Sequence, residues 1–322
     1  MPWLTVFLSA IAFVLLAGPA LAADPRPRVV ISTDIGGADP DDMQSLAHAL
    51  LYADRIRLVG LISTPTGHGG RTADIHRALD AYEADYPLLR RASPSYPAPD
   101  SLRGIVHQGR LTPQPEAGFS EPSDGSHAII AAGQEAAAAG EPLWVLLWGA
   151  ATDLAQALHD APQIARHLRV YMIGAWNTAQ DRAARDYIAA SHARELWWIE
   201  NDSSFRGFYT DEQGRENNEW RMGEARGHGA LGRYFTEARQ YGLKMGDTPS
   251  LLYLIDSAPD DDPGDPSSWG GAFRRFPARG PHYWTDADVE REAYRGAATV
   301  RRHRVAAYRD FAARLDRLRA ME

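Results

Sequence analysis

Four carboxylates, Asp34, Asp39, Asp41 and Asp42, crowd into the nine residues that follow the apolar run Val29-Val-Ile-Ser-Thr33. Like charges held so close raise one another's proton affinity unless a cation sits among them, so the cluster asks for a metal ion or a basic ligand. A donor set made only of oxygen favours a hard cation, Ca²⁺ ahead of Mg²⁺. The competing account is a solvated turn that starts a helix, because Asp39 before Pro40 is itself a good N-terminal cap.

Positioning such a cluster requires a strand that delivers it. Strand-like apolar runs occur at Val29–Ser32, Leu58–Ser63, Leu143–Trp148, Leu168–Ile173 and Glu195–Ile199. Between them lie helical patterns at Pro40–Ala53, Arg71–Asp85, Ser126–Ala139, Thr152–Asp160 and Gln180–Ser191. Further helices are expected at Ala230–Tyr241, at Pro249–Leu254 and, as one long element, within Ala287–Arg319. This alternation predicts an α/β fold, an open, mostly parallel sheet with helices on both faces. Ligands of such sheets bind beyond the carboxyl ends of the strands. Those ends are polar or glycine-containing here: Thr33-Asp34, Ser63-Thr-Pro-Thr-Gly-His68, Trp148-Gly-Ala-Ala-Thr-Asp153 and Gly174-Ala-Trp-Asn177. The Pro-, Ser- and Gly-rich stretch from Pro87 to Asp124 reads as an irregular insertion near that rim, a candidate lid, and Ala258 to Tyr283 as a second irregular stretch.

Composition narrows the function. Leu4 to Ala17 is apolar and Gly18-Pro-Ala-Leu-Ala-Ala23 offers small residues, which reads as a secretory signal over residues 1–22, although no Lys or Arg precedes the apolar run. The domain expected over residues 24–322 is long enough to hold one large core of its own. It has no cysteine, so stability after export must come from packing or bound metal, which suits a periplasmic or secreted protein without a disulfide framework. A net charge of −8 and the lack of any basic block argue against nucleic acid as a partner. No stretch after the signal is long and apolar enough for stable membrane insertion.

Three segments in order resemble the nucleoside hydrolases. Ser32-Thr-Asp34 with Asp41-Asp42-Met-Gln-Ser-Leu-Ala47 is similar to that family's opening aspartate signature, Val145-Leu-Leu-Trp-Gly-Ala-Ala-Thr-Asp-Leu-Ala155 to its G-P-L-T-N segment, and Gly246-Asp-Thr-Pro249 to its late H-D-A motif. Trp198-Ile-Glu-Asn-Asp-Ser-Ser-Phe-Arg-Gly207, Trp269-Gly-Gly271 and Thr299-Val-Arg-Arg-His-Arg304 narrow the likeness to the secreted nucleoside-hydrolase-like branch called cellulose-binding. The resemblance implies Asp34 as calcium ligand and general base, Asp42 and Asp247 as further ligands together with the Trp148 carbonyl, and Asp41 on sugar hydroxyls. This chain departs from the pattern at three places. Ser32 replaces the first aspartate, three extra residues separate Asp34 from the Asp41–Asp42 pair and leave Asp39 a rival for either role, and Gly246 replaces the histidine that helps a nucleobase leave.

Other polar residues at strand ends are candidates for substrate contact: His68, Asn177, Gln180, Asp181, Glu200 and Asn201, with Asp202 beside them. His68, His228 and Asp181 are candidates for protonating a leaving group, and Trp176 and Trp269 for stacking on a sugar ring. His127 reads as structural, Asp260-Asp-Asp-Pro-Gly-Asp265 as a solvated acidic loop, and Arg301, Arg302 and Arg304 as a solvated helix face. The function expected is an exported calcium-dependent hydrolase of an N- or O-glycosidic bond in a ribosyl or other small sugar substrate. A non-catalytic carbohydrate-binding protein that keeps the metal site is the alternative, and a Mg²⁺ phosphohydrolase a third. A homo-oligomer is expected by analogy with the nucleoside hydrolases.

Overall fold

The computed structural model describes residues 24–36, 40–65, 70–209, 225–237, 243–256, 262–287 and 294–319. The signal segment 1–22, Asp39 and His68 lie outside the described residues. Eight strands form one sheet: β1 (Arg28–Thr33), β2 (Arg57–Ser63), β3 (Val106–Gln108), β4 (Leu143–Trp148), β5 (Leu168–Ile173), β6 (Trp197–Asn201), β7 (Phe273–Arg275) and β8 (Tyr283–Asp286). Their order is β3-β2-β1-β4-β5-β6-β8-β7, parallel throughout except for the antiparallel β7–β8 pair.

Central strands buried on both faces carry apolar side chains at both parities, which is why β4 reads Leu-Trp-Val-Leu-Leu-Trp without a polar residue. The two parities feed two cores. Val29, Ile31, Trp144, Leu146, Trp148 and Tyr171 pack with α1 (Asp41–Leu51) and α2 (Thr72–Ala92). Val30, Val145, Leu147, Val170, Met172 and Trp198 pack beneath α4 (Asp124–Ala139), α5 (Thr152–Asp160) and α7 (Arg182–Ser191) on the other face. Among the described residues the remaining α-helices are α3 (Pro99–Arg103), α6 (Trp176–Gln180), α8 (Gly229–Phe235), α9 (Thr248–Asp256), α10 (Ala297–Arg301) and α11 (Arg304–Leu315).

Several expectations are corrected. Pro87 does not end α2, which runs to Ala92 with the proline inside it, because Tyr82 and Leu89 on either side are buried in the core. The stretch after it is no free lid. It contributes α3 and β3, and its loop is strapped down where Gln114 N–H donates to Asp181, Gln114 Nε2 to the Thr152 carbonyl and Ser120 N–H to Gln156. The second irregular stretch supplies β7 and begins β8, and the long C-terminal helix is two helices, α10 and α11.

Candidate functional site

The strand order reverses between β1 and β4, the two central neighbours whose connections leave in opposite directions, and the crevice outside their carboxyl ends is the expected ligand position. Register brings Thr33 opposite Trp148, so Asp34 leaves β1 beside Gly149 leaving β4. The approach is close: a Cβ on Gly149 would lie 3.0 Å from the Asp34 nitrogen and 2.5 Å from Thr64 Cγ2, so only glycine fits there.

Into this crevice α1 brings Asp41 and Asp42 on its first turn, and the loop before α9 brings Asp247. Carboxylate oxygens of Asp41, Asp42 and Asp247 all lie within 4.8 Å of one another. Asp42 and Asp247 are only 5% and 2% exposed. Burial first, then the charges of Asp34, Asp247 and Asp41, push the Asp42 carboxyl well above the ordinary carboxylate range. Three converging, largely buried carboxylates with a fourth against them make an all-oxygen cradle suited to a hard divalent cation. The cradle thus brings Asp41, for which the resemblance implies contact with sugar hydroxyls, together with Asp42 and Asp247.

The surroundings hold these groups in place. Thr33 Oγ1 donates to Asp42 and accepts the Ile35 N–H at 3.1 Å. Gln44, buried on α1, accepts the backbone N–H groups of Lys244 (2.8 Å) and Met245 (3.2 Å) through its side-chain oxygen. That clamp fixes the turn before Asp247, in which Met245 adopts φ +51°. The Trp148 indole N–H donates to Ser250 Oγ, which donates to the Asp247 carbonyl, both at 2.7 Å. His48 Nδ1 lies 3.3 Å from Thr248 Oγ1, and burial pushes its pKa down to about 3, so it stays neutral. Thr33 is visible in the sequence as a polar strand end, whereas Gln44, His48, Thr248 and Ser250 carry no comparable mark; the one signal for Gln44 and His48 is polarity on the buried face of a short amphipathic helix.

The other expected site residues divide. Asn177 reaches the crevice, its amide donating to the Trp148 carbonyl (3.1 Å) and the Ile173 carbonyl (3.0 Å). A carbonyl oxygen has a second lone pair, so the Trp148 oxygen retains capacity for a ligand. Gln180 is half-buried at the end of α6. Trp176, between Ala175 at φ +51° and Asn177, stands 69% exposed at the rim.

Asp181 is turned inward. It caps α7 through the Ala184 N–H and accepts from Thr152 Oγ1 and the Gln114 N–H. Glu200 faces the opposite core, where Arg185 grips both its oxygens at 2.6 Å and Arg279 and Tyr283 add further contacts. Asn201 braces β6 by accepting the Phe205 N–H and donating to the Tyr171 hydroxyl, and Asp202 accepts the Ala175 N–H. His228 is buried against Arg319 and Asp316. Trp269 packs half-buried against the core, and His127 is exposed near the start of α4.

Comparison with solved structures matches this architecture to the nucleoside hydrolases. An inosine-uridine preferring nucleoside hydrolase from Bacillus anthracis superposes with TM-score 0.53 at 15% identity, covering 91% of this chain and 100% of that one. A purine-preferring ribonucleoside hydrolase from Gardnerella vaginalis gives 0.54 at 14% identity, over 90% and 98%. The molecule is therefore an α/β protein of nucleoside-hydrolase-like fold. A nucleoside hydrolase-related protein of Saccharophagus degradans, described as associated with carbohydrate metabolism, is more similar, with TM-score 0.69 and 28% identity over 92% of this chain and 73% of that one. The family described as cellulose-binding Sde182, nucleoside hydrolase-like domain matches residues 28–273, and the chain belongs to that family. Curated proteins give no match.

Proposed function

We propose that this protein is an exported, calcium-dependent hydrolase that cleaves an N- or O-glycosidic bond of a ribosyl or other small sugar substrate. The observation that carries the reading is the convergence of Asp41, Asp42 and Asp247, with Asp34 against Asp42, at the switch point of the sheet. Asp42, Asp247 and Asp41 would hold the ion with the Trp148 carbonyl. Bound calcium supplies positive charge that lowers the proton affinity of nearby water and orients sugar hydroxyls. Asp34 then acts as general base, taking the proton of the attacking water as its oxygen bonds to an oxocarbenium-like sugar carbon and the glycosidic bond breaks, the leaving group taking a proton from solvent. Asn177 steadies the Trp148 carbonyl, and Trp176 offers an aromatic face at the rim on which a sugar ring stacks.

A second reading has support of its own. Gly246 stands where many nucleoside hydrolases carry a histidine, and the family bears a cellulose-binding description. On that reading the cradle serves recognition of a carbohydrate without turnover. The deciding experiment incubates purified protein with nucleosides, nicotinamide nucleosides and aryl glycosides, with calcium and with chelator. Hydrolysis that needs calcium and falls at least a hundredfold in Asp34→Asn, with the melting temperature preserved, supports the enzyme; oligosaccharide binding with no product from any substrate supports the binding protein.

A further inference from the structure

At the opposite end of the sheet, the amino ends of β4, β5 and β6 frame a cavity of about 690 Å³. That volume lies within the roughly 300–1,000 Å³ usual for small-ligand sites. Three arginines line it, Arg166, Arg169 and Arg194, with two carboxylates, Glu141 and Glu195. Glu141 is occupied from behind, its carboxylate 2.5 Å from Arg57 and 3.8 Å from Arg28. Arg166 and Arg194 are exposed, and among the described residues no carboxylate pairs with either. The cavity is therefore cationic in a chain whose net charge is −8.

Aromatic rings shape the same wall. The Arg169 guanidinium lies 5.7 Å from the ring centres of both Trp144 and Trp197. Stacking of this kind pre-orients the planar fork, and a planar guanidinium matches a carboxylate or phosphate through paired N–H donors. Trp197 is half-buried, braced by Trp144 and Trp284, and lends the cavity an apolar face beside the charges. One guanidinium held against aromatic rings, with two exposed arginines beside it, suits a ligand that is anionic on one side and ring-like on the other.

We propose that this cavity is a second ligand site, distinct from the acidic crevice, and that it takes an anionic saccharide, a sugar ring bearing a carboxylate or a phosphate. The proposal stands whether or not the crevice is catalytic. Titrating the full mature protein by calorimetry and tryptophan fluorescence tests it, with glucuronic acid and glucose 6-phosphate as the two anionic probes and cellobiose and inorganic phosphate as controls, all in chelator. At least one anionic sugar should bind tenfold or more tighter than either control, and which one binds identifies the anion. That affinity should weaken with salt and fall at least tenfold in the double variant Arg166→Gln/Arg194→Gln, whose exposed positions leave the melting temperature unchanged. Trp197→Phe, which keeps a ring there, should retain most of it. Equal binding of inorganic phosphate, equal binding of cellobiose, full affinity in the double variant, or no binding of either anionic sugar would overturn the site.

Discussion

At Asp42 a buried carboxylate faces other carboxylates. Its proton affinity is raised by burial and by three neighbouring carboxylates. A carboxyl raised in the folded state contributes stability that is fully present below its unfolded value, 3.8, and is lost as pH rises through the folded value. Metal-free protein should therefore lose stability toward neutral pH, and calcium should restore most there, since an ion that binds only the folded state stabilises it. In Asp42→Asn the metal-free loss should flatten and the calcium-dependent rise in melting temperature should vanish; a rise that survives would put the ion elsewhere. Gly246 works at the same scale. A Cβ there would sit 2.7 Å from Asp41 Oδ2 and 3.4 Å from Tyr209 Cε1, so Gly246→Ala must push the Asp41 carboxylate aside. Calcium affinity, read by titration, should weaken roughly tenfold or more, the scale seen when groups that orient metal ligands are disturbed.

Among the elements, α1 does more than start with two aspartates. Its buried Gln44 clamps the 244–245 backbone that leads to Asp247, so one helix supplies two carboxylates and positions the third. Gln44→Leu leaves those N–H groups without that acceptor, which should cost about 1–3 kcal/mol of stability. Thermal unfolding and calcium titration together check this, and a variant that loses neither stability nor affinity would remove Gln44 from the clamp. The central strands were readable because their apolar runs are continuous, and β4 and β5 have the bounds the sequence predicts. Strand β6 was misplaced by two residues. Glu200 and Asn201 look like loop residues, yet Arg185, Arg279 and Tyr283 meet one and Phe205 and Tyr171 the other, which lets both be buried in a strand. Strands β3, β7 and β8 are three or four residues long, too short to show a period, and exist only because a neighbour supplies their hydrogen bonds.

For the whole molecule, the two ends of the sheet differ: Asp41, Asp42 and Asp247 converge at the carboxyl rim, while three arginines and two glutamates line the cavity at the amino rim. Among the described residues no helix is long and apolar enough to cross a membrane. With no cysteine in the chain, stability rests on the two cores and on whatever binds the folded state. Export is expected to remove residues 1–22, so mass spectrometry of protein recovered from outside the cytoplasm should find Ala23 at the amino terminus; an intact Met1 would refute cleavage.

Local pattern sufficed for the alternation of strands and helices and for the acidic cluster that holds Asp34, Asp41 and Asp42, because periodicity and clustered charge are properties of neighbouring residues, whereas Asp247 stood out only through the resemblance of Gly246-Asp-Thr-Pro249 to a family motif. Tertiary structure alone decided which polar groups face the crevice. Asn177 and Asp181 stand four residues apart, yet one amide reaches the Trp148 carbonyl while the other side chain caps a helix. Asp34 and Asp247 are more than two hundred residues apart, and no local signal says that both act on Asp42. Their meeting depends on the parallel register of β1 with β4 and on the hydrogen bonds that dock α9 against α1, and those are long-range contacts.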